Sequence, residues 1–175
     1  MKHQVLITTD EIATKVEALA AQISADYQGK NLLIISLLRG SFIFTADLVR
    51  HLTVPVAIEF LQTSSYGSGK TSSGEVQIVT PFTKDIRNYD LLLVDDILDS
   101  GRTMKKVYQF MLEKKPKSIK TCTFLDKPSR RVVDIEVDYK GYVIEDRFVA
   151  GYGLNYGEHY RNIPYIFEVL AEDEG

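Results

Sequence analysis

The sequence predicts an α/β fold with a parallel central sheet flanked by helices, and three observations carry that prediction. Leu32-Leu33-Ile34-Ile35-Ser36-Leu37-Leu38 and Leu91-Leu92-Leu93-Val94 are nearly unbroken apolar runs, as expected of strands buried on both faces. Each is followed by a short loop and a helix-compatible stretch, 42–51 after the first and 102–112 after the second. A further strand-like run follows each helix, at 56–61 and 119–125, which is the rhythm of crossover units.

Taken in order, Thr8 and Glu11 form a capping box, and Ile12, Val16, Leu19 and Ile23 then recur at helical spacing. The helix is expected to reach about Tyr27, with Gly29 ending it, and to serve packing. The strand at 32–38 leads through Arg39-Gly40-Ser41 into the helix at 42–51, and residues 56–61 form the next strand. Residues 63–75 are rich in Ser, Gly and Thr and read as a mobile lid joining two strands. Within them, Gly67-Ser68-Gly69-Lys70-Thr71 invites a P-loop reading, which fails on two counts. Ser64 stands where the first P-loop glycine belongs, and Thr71 is followed by the strand-like 75–79 instead of a helix. Residues 81–89 form a polar connector to the central run at 91–94, which two carboxylates, Asp95 and Asp96, are expected to end. Val107, Phe110 and Met111 give the following helix its apolar face, and Pro116 leads to the strand around Cys122. Residues 165–170 read as a closing strand, and Glu172-Asp173-Glu174 as a solvated acidic tail.

At 175 residues the chain has the length of one domain with a sizeable core. Apolar residues make up 45% and the formal net charge is −3, so no global basic field attracts nucleic acid or an acidic membrane surface. Cys122 is the single cysteine, which rules out an internal disulfide; in its strand it reads as a small buried apolar residue. Met1-Lys2-His3-Gln4 is not followed by an apolar signal core, and no segment reaches membrane-spanning length, so a cytoplasmic location is the expectation.

The chemistry concentrates in Asp95-Asp96-Ile97-Leu98-Asp99-Ser100-Gly101-Arg102-Thr103. These residues lie at the carboxyl end of a strand, where open α/β sheets bind ligands. Amides of Ser100 to Thr103 would open a helix and suit a phosphate. Adjacent carboxylates accept hydrogen bonds from vicinal hydroxyls, while Ser100 and Thr103 donate to phosphate oxygens, so the set suits a phosphorylated sugar. Asp99 sits between the two functions, within reach of a reacting base. Taken singly, each of these residues is an ordinary helix cap.

Val94-Asp95-Asp96-Ile97-Leu98-Asp99-Ser100-Gly101-Arg102-Thr103 resembles the phosphoribosyl-pyrophosphate motif of type I phosphoribosyltransferases. Leu37-Leu38-Arg39-Gly40-Ser41, Ser64-Ser65-Tyr66-Gly67, Leu125-Asp126-Lys127-Pro128 and Phe148-Val149-Ala150-Gly151-Tyr152-Gly153 extend the likeness, nearly end to end, to the hypoxanthine (6-oxopurine) phosphoribosyltransferases. The resemblance implies the type I phosphoribosyltransferase fold as one domain over 1–175, with a small hood built from the N- and C-terminal segments. It implies transfer of phosphoribosyl from 5-phosphoribosyl 1-pyrophosphate to hypoxanthine or guanine, with Mg²⁺, in a homodimer or homotetramer.

The roles it implies are these. Asp99 handles the proton at purine N7; Asp95, Asp96, Ser100, Gly101, Arg102 and Thr103 take the sugar phosphate. Leu38, Arg39, Gly40 and Arg161 hold the pyrophosphate, with the Leu38–Arg39 peptide cis. Ser65 and Tyr66 belong to the lid. Lys127 donates to the exocyclic oxygen, Phe148 stacks on the ring and the Val149 backbone reads the base edge. An ammonium offers only donors, so Lys127 favours a 6-oxo group over the 6-amino group of adenine. Unaided, Lys127 reads as a solvated lysine in a charged turn and Phe148 as a core residue. Asp95, Asp96 and Asn155 are the metal positions. Asn155 departs from the family's Asp and lacks the charge that a hard cation favours. Residues 149–155 surround C2 of the base, where hypoxanthine, guanine and xanthine differ. A catalytically silent regulator of the same fold would carry a basic stripe in place of this acidic chain.

Overall fold

The computed structural model describes residues 1–65 and 75–171. Its elements are β1 (Lys2–Ile7), α1 (Thr9–Asp26), β2 (Leu32–Leu38), α2 (Phe42–His51), β3 (Val56–Ser65) and β4 (Val76–Ile78). Then come β5 (Asp90–Leu98), α3 (Arg102–Leu112), β6 (Ser118–Asp126), a 3₁₀ turn (Pro128–Arg130), β7 (Tyr139–Val143), β8 (Val149–Ala150) and β9 (Ile166–Leu170). The larger sheet has the order β4-β3-β2-β5-β6-β7, parallel except for β4, which pairs antiparallel with β3. The fold is the predicted α/β architecture.

Burial explains why the two central strands are so apolar. Leu32, Ile34, Leu92 and Val94 pack on one side of the sheet against α1 and α2, through Val16, Leu19, Phe44 and Leu48. Leu33, Ile35, Leu91 and Leu93 pack on the other against Met104, Val107 and Met111 of α3. A strand with two buried faces leaves no position for an alternating polar residue. Each fully buried Leu or Ile contributes about 1.5–3 kcal/mol. α1 begins with the predicted capping box: Glu11 N–H donates to Thr8 Oγ1 at 3.2 Å and Thr8 N–H to Glu11 Oε1 at 3.3 Å.

A second, smaller sheet has the order β1-β9-β8 and is antiparallel throughout. Its first strand escapes the pattern of the sequence, because residues 2–5 are exposed and carry no apolar alternation; pairing with β9 alone makes them a strand. Other boundaries move as well. β5 runs on through Leu98, so Asp95 and Asp96 lie inside the strand and do not end it. β3 extends to Ser65, beyond the expected 61, because β4 pairs with its last residues. Among the described residues no helix is long and apolar enough to cross a membrane. Tyr66 and residues 67–74, the body of the expected lid, lie outside the described residues, as does the acidic tail from Glu172.

Candidate active site

Pairing between β2 and β5 stops at Ser36 and Val94, whereas β6 stays paired with β5 as far as Leu98 and Asp126. The β2 side of Asp95 and Asp96 is thus left to the loop that follows β2. Asp95 Oδ1 accepts from Asp96 N–H at 2.9 Å, and Asp96 Oδ1 from Ile97 N–H at 2.8 Å. Burial, and after it the charge of Asp96, pushes the Asp95 carboxyl well above the ordinary carboxylate range. Two partly buried carboxylates facing one another suit a divalent cation or a row of hydroxyls. Among the described residues no group of three or more His, Cys, Asp or Glu forms a cage. The pair therefore fits Mg²⁺, which commonly takes one or two carboxylates and completes its shell from substrate oxygens and water.

Leu38 ends β2, Arg39 and Gly40 open the loop that follows, and the Leu38–Arg39 peptide is cis. A buried chain of hydroxyls holds it from below: Ser36 Oγ lies 2.8 Å from both Ser41 Oγ and Thr45 Oγ1, and Ser41 Oγ donates to the Leu37 carbonyl. Gly40 packs so closely on the Asp96 carboxylate that a Cβ would collide with it. Gly153, at φ +96°, in turn presses on the Gly40 carbonyl. Arg161 Nη1 donates to the Gly153 carbonyl at 2.7 Å and would stand 3.5 Å from a Cβ on Gly40. Gly40, Asp96 and Arg161 are thus brought together. Arg39 is exposed beside them.

At the start of α3 the N-cap is Gly101, at φ 87°, which offers no side chain to cap the helix. The ordinary-cap reading of the acidic residues therefore does not describe this helix. Ser100 Oγ accepts from Arg102 N–H at 3.3 Å, while Thr103 is half-buried in the first turn. Asp99 lies on the loop between, and its Oδ1 accepts from Arg130 Nε at 3.1 Å.

Across the loop, Lys127 is only 7% exposed, so it is no solvated turn residue. Its amide donates to the Leu98 carbonyl at 2.9 Å, which locks the end of β6 to the end of β5, and its Nζ lies 3.9 Å from Asp146 Oδ1. Phe148 is 58% exposed and is no core residue either; its ring meets Tyr156 edge to face at 5.6 Å. An apolar ring left in solvent suits stacking on a flat heterocycle. Val149 is buried in β8 opposite Glu168 of β9. Asn155 is exposed, and its Nδ2 donates to the Gly157 carbonyl at 2.7 Å. Ser65 ends β3.

Sequence reasoning passed over Ser36, Thr45, Arg130, Arg131 and Asp146. Ser36 had a signal, as the one polar residue inside an aliphatic strand. The two arginines had none beyond following Lys127.

The chain matches the phosphoribosyl transferase domain family over residues 6–157. It is 44% identical to a hypoxanthine phosphoribosyltransferase of Salmonella typhimurium over 178 residues, covering 99% of this chain and 100% of that protein. It is 46% identical to a hypoxanthine-guanine phosphoribosyltransferase of Aquifex aeolicus over 169 residues, covering 96% and 95%. Among solved structures, a hypoxanthine phosphoribosyltransferase from Staphylococcus aureus superposes with a TM-score of 0.91 at 42% identity, covering 95% of this chain and 91% of that one.

Proposed function

The chain belongs to the phosphoribosyl transferase family, and from that premise we propose that it transfers phosphoribosyl from 5-phosphoribosyl 1-pyrophosphate to hypoxanthine and guanine, forming IMP or GMP and pyrophosphate. It is a pentosyl-transferring enzyme of purine salvage. The observation that carries the base assignment is Lys127: a lysine only 7% exposed, bonded through its amide to the Leu98 carbonyl beside Asp99. A buried ammonium is costly unless something accepts its protons, and a 6-oxo group does so where a 6-amino group cannot.

The remaining roles follow from the placement described. Amides of 38–40 and the guanidinium of Arg161 receive the pyrophosphate. Ser100, Gly101, Arg102 and Thr103 wrap the 5′-phosphate at the start of α3. Phe148 stacks on the purine, Val149 reads its edge through the backbone, and Ser65 and Tyr66 belong to a lid. Asp95 and Asp96 accept the ribose hydroxyls and set negative potential beside C1′ as it gains oxocarbenium character. The bond from C1′ to pyrophosphate breaks as the bond to N9 forms, and Asp99 takes the proton from N7. Asp95 and Asp96 would hold Mg²⁺, with Asn155 as an uncharged third position, and there it would supply positive charge to offset that of the departing pyrophosphate.

Three further points belong to the same proposal. Residues 1–175 act as one domain, with a hood that β1 and β9, from the two ends of the described chain, build together. The enzyme is a homodimer or homotetramer, which would cover Ile58 and Phe60, exposed apolar residues on one face of β3. It works in the cytoplasm, where its buried free thiol, Cys122, would stay reduced.

The test is a spectrophotometric assay with phosphoribosyl pyrophosphate, Mg²⁺ and, in parallel, hypoxanthine, guanine, xanthine and adenine. Turnover of hypoxanthine or guanine with adenine inert is expected. Binding of phosphoribosyl pyrophosphate without turnover of any base would replace the enzyme by a regulator.

A further inference from the structure

We propose that Arg130 is a positioning residue for Asp99, tying the carboxylate that takes the purine proton to the lysine that reads the base. This rests on the role assigned to Asp99 above.

The loop after β5 is gripped carbonyl by carbonyl. The Leu98 carbonyl accepts from Lys127 N–H at 2.9 Å, the Asp99 carbonyl from Arg131 Nε at 3.3 Å, and the Ser100 carbonyl from Val132 N–H at 3.0 Å. Arg131 is itself anchored, since its Nη2 donates to Asp126, a carboxylate 3% exposed that Lys140 also approaches at 3.6 Å. The backbone of Asp99 is therefore fixed from the β6 side.

That leaves its side chain, which is 45% exposed and lies on a loop. Arg130 addresses it. Its Nε donates to Asp99 Oδ1 at 3.1 Å, and its Nη1 donates to Asp146 Oδ2 at 3.4 Å. Asp146 in turn faces Lys127 Nζ at 3.9 Å through its other oxygen. One planar guanidinium thus links the ends of β5, β6 and β7, in the order Asp99, Arg130, Asp146, Lys127. An exposed ion pair of this kind contributes little to stability, so its value lies in geometry. Among the described residues no donor meets Asp99 Oδ2, which leaves that oxygen to receive a proton. A carboxylate tethered at one oxygen presents the other in a narrow range of directions, and proton transfer needs heavy atoms within about 2.6–3.2 Å. The fork matters as well as the charge: a lysine could satisfy one carboxylate but could not span both with fixed geometry.

The experiment compares Arg130→Gln, Arg130→Lys, Asp99→Asn and the double variant Asp99→Asn/Arg130→Gln, each measured for kcat, for KM of both substrates and for thermal midpoint. Arg130→Gln is expected to lower kcat on the order of tenfold, with KM for phosphoribosyl pyrophosphate and the midpoint unchanged. Arg130→Lys should recover part of that loss. In the Asp99→Asn background the Arg130 substitution should cost nothing more, because it acts through Asp99. An unchanged kcat in Arg130→Gln, or an equal loss in both backgrounds, would overturn the proposal while leaving Asp99 in its role. Near-normal turnover in Asp99→Asn would overturn the role of Asp99 itself, and this proposal with it.

Discussion

On the side proposed for the pyrophosphate the site rests on close backbone packing, and on the side proposed for the base on a chain of charged side chains. Gly40 rests on the Asp96 carboxylate, Gly153 presses on the Gly40 carbonyl, and Arg161 bonds to the Gly153 carbonyl. There is no room for a Cβ in that stack. Across the loop, Lys127, Asp146, Arg130 and Asp99 form a chain of ionic contacts at 3.1–3.9 Å, and the Phe148 ring stands open to solvent. Backbone packing of the first kind serves a ligand that never varies, since every reaction of the proposed type uses the same sugar pyrophosphate. Side chains of the second kind can be exchanged without rebuilding the fold, and it is there that a preference among bases can change.

Substitutions should separate the two halves, and the largest effect is expected in the backbone half. Gly153→Ala adds a Cβ at φ +96° against a peptide carbonyl, so the loop at 38–41 must shift. A displacement near 1 Å costs on the order of 10²-fold in turnover, and kcat/KM for phosphoribosyl pyrophosphate should show it. Retained activity would mean that the stack is not needed. In the side-chain half, Phe148→Ala removes a stacking surface worth about 1–3 kcal/mol. KM for hypoxanthine should rise between about fivefold and 150-fold, with KM for phosphoribosyl pyrophosphate unmoved. A change in both constants would erase the distinction between the halves.

Asn155→Asp sharpens the metal side. Restoring a carboxylate should lower the Mg²⁺ concentration for half-maximal activity several-fold, about three to ten; an unaltered Mg²⁺ titration, in activity and in thermal shift alike, counts against Asn155 as a metal position. The smallest effect concerns the protein without ligands. A carboxyl raised above its ordinary value of 3.8 favours the protonated folded state, so rising pH costs stability from about pH 4 upward. Asp95→Asn should therefore melt higher than the parent at neutral pH, with the gap closing in acid and on adding Mg²⁺. A gap independent of pH would show that Asp95 carries no such penalty.

The parallel sheet was legible because double burial leaves an apolar signature, and Leu91-Leu92-Leu93-Val94 shows it plainly. The central motif was legible because its residues are consecutive: Asp95, Asp96, Asp99 and Gly101 all come from one strand, loop and helix start. β1 was not, since residues 2–5 are exposed and become a strand only through β9. Lys127 and Phe148 were read through likeness alone, and their burial and exposure reverse what their local sequence suggests. A charged turn gives no sign that its lysine will be buried. The Arg130 bridge was invisible for the same reason: it joins residues 99, 130 and 146, which meet only when three strands end at one rim.

The pairing of β1 with β9 has a consequence for biosynthesis. Lys2 lies opposite Leu170 and Val5 opposite Phe167. A chain emerging amino end first can complete the parallel sheet once β7 is out, at Val143. β1 must still wait for β9, more than 150 residues further along the chain, before it has a partner. The larger sheet can therefore be finished in the nascent chain while the smaller one still lacks its central strand.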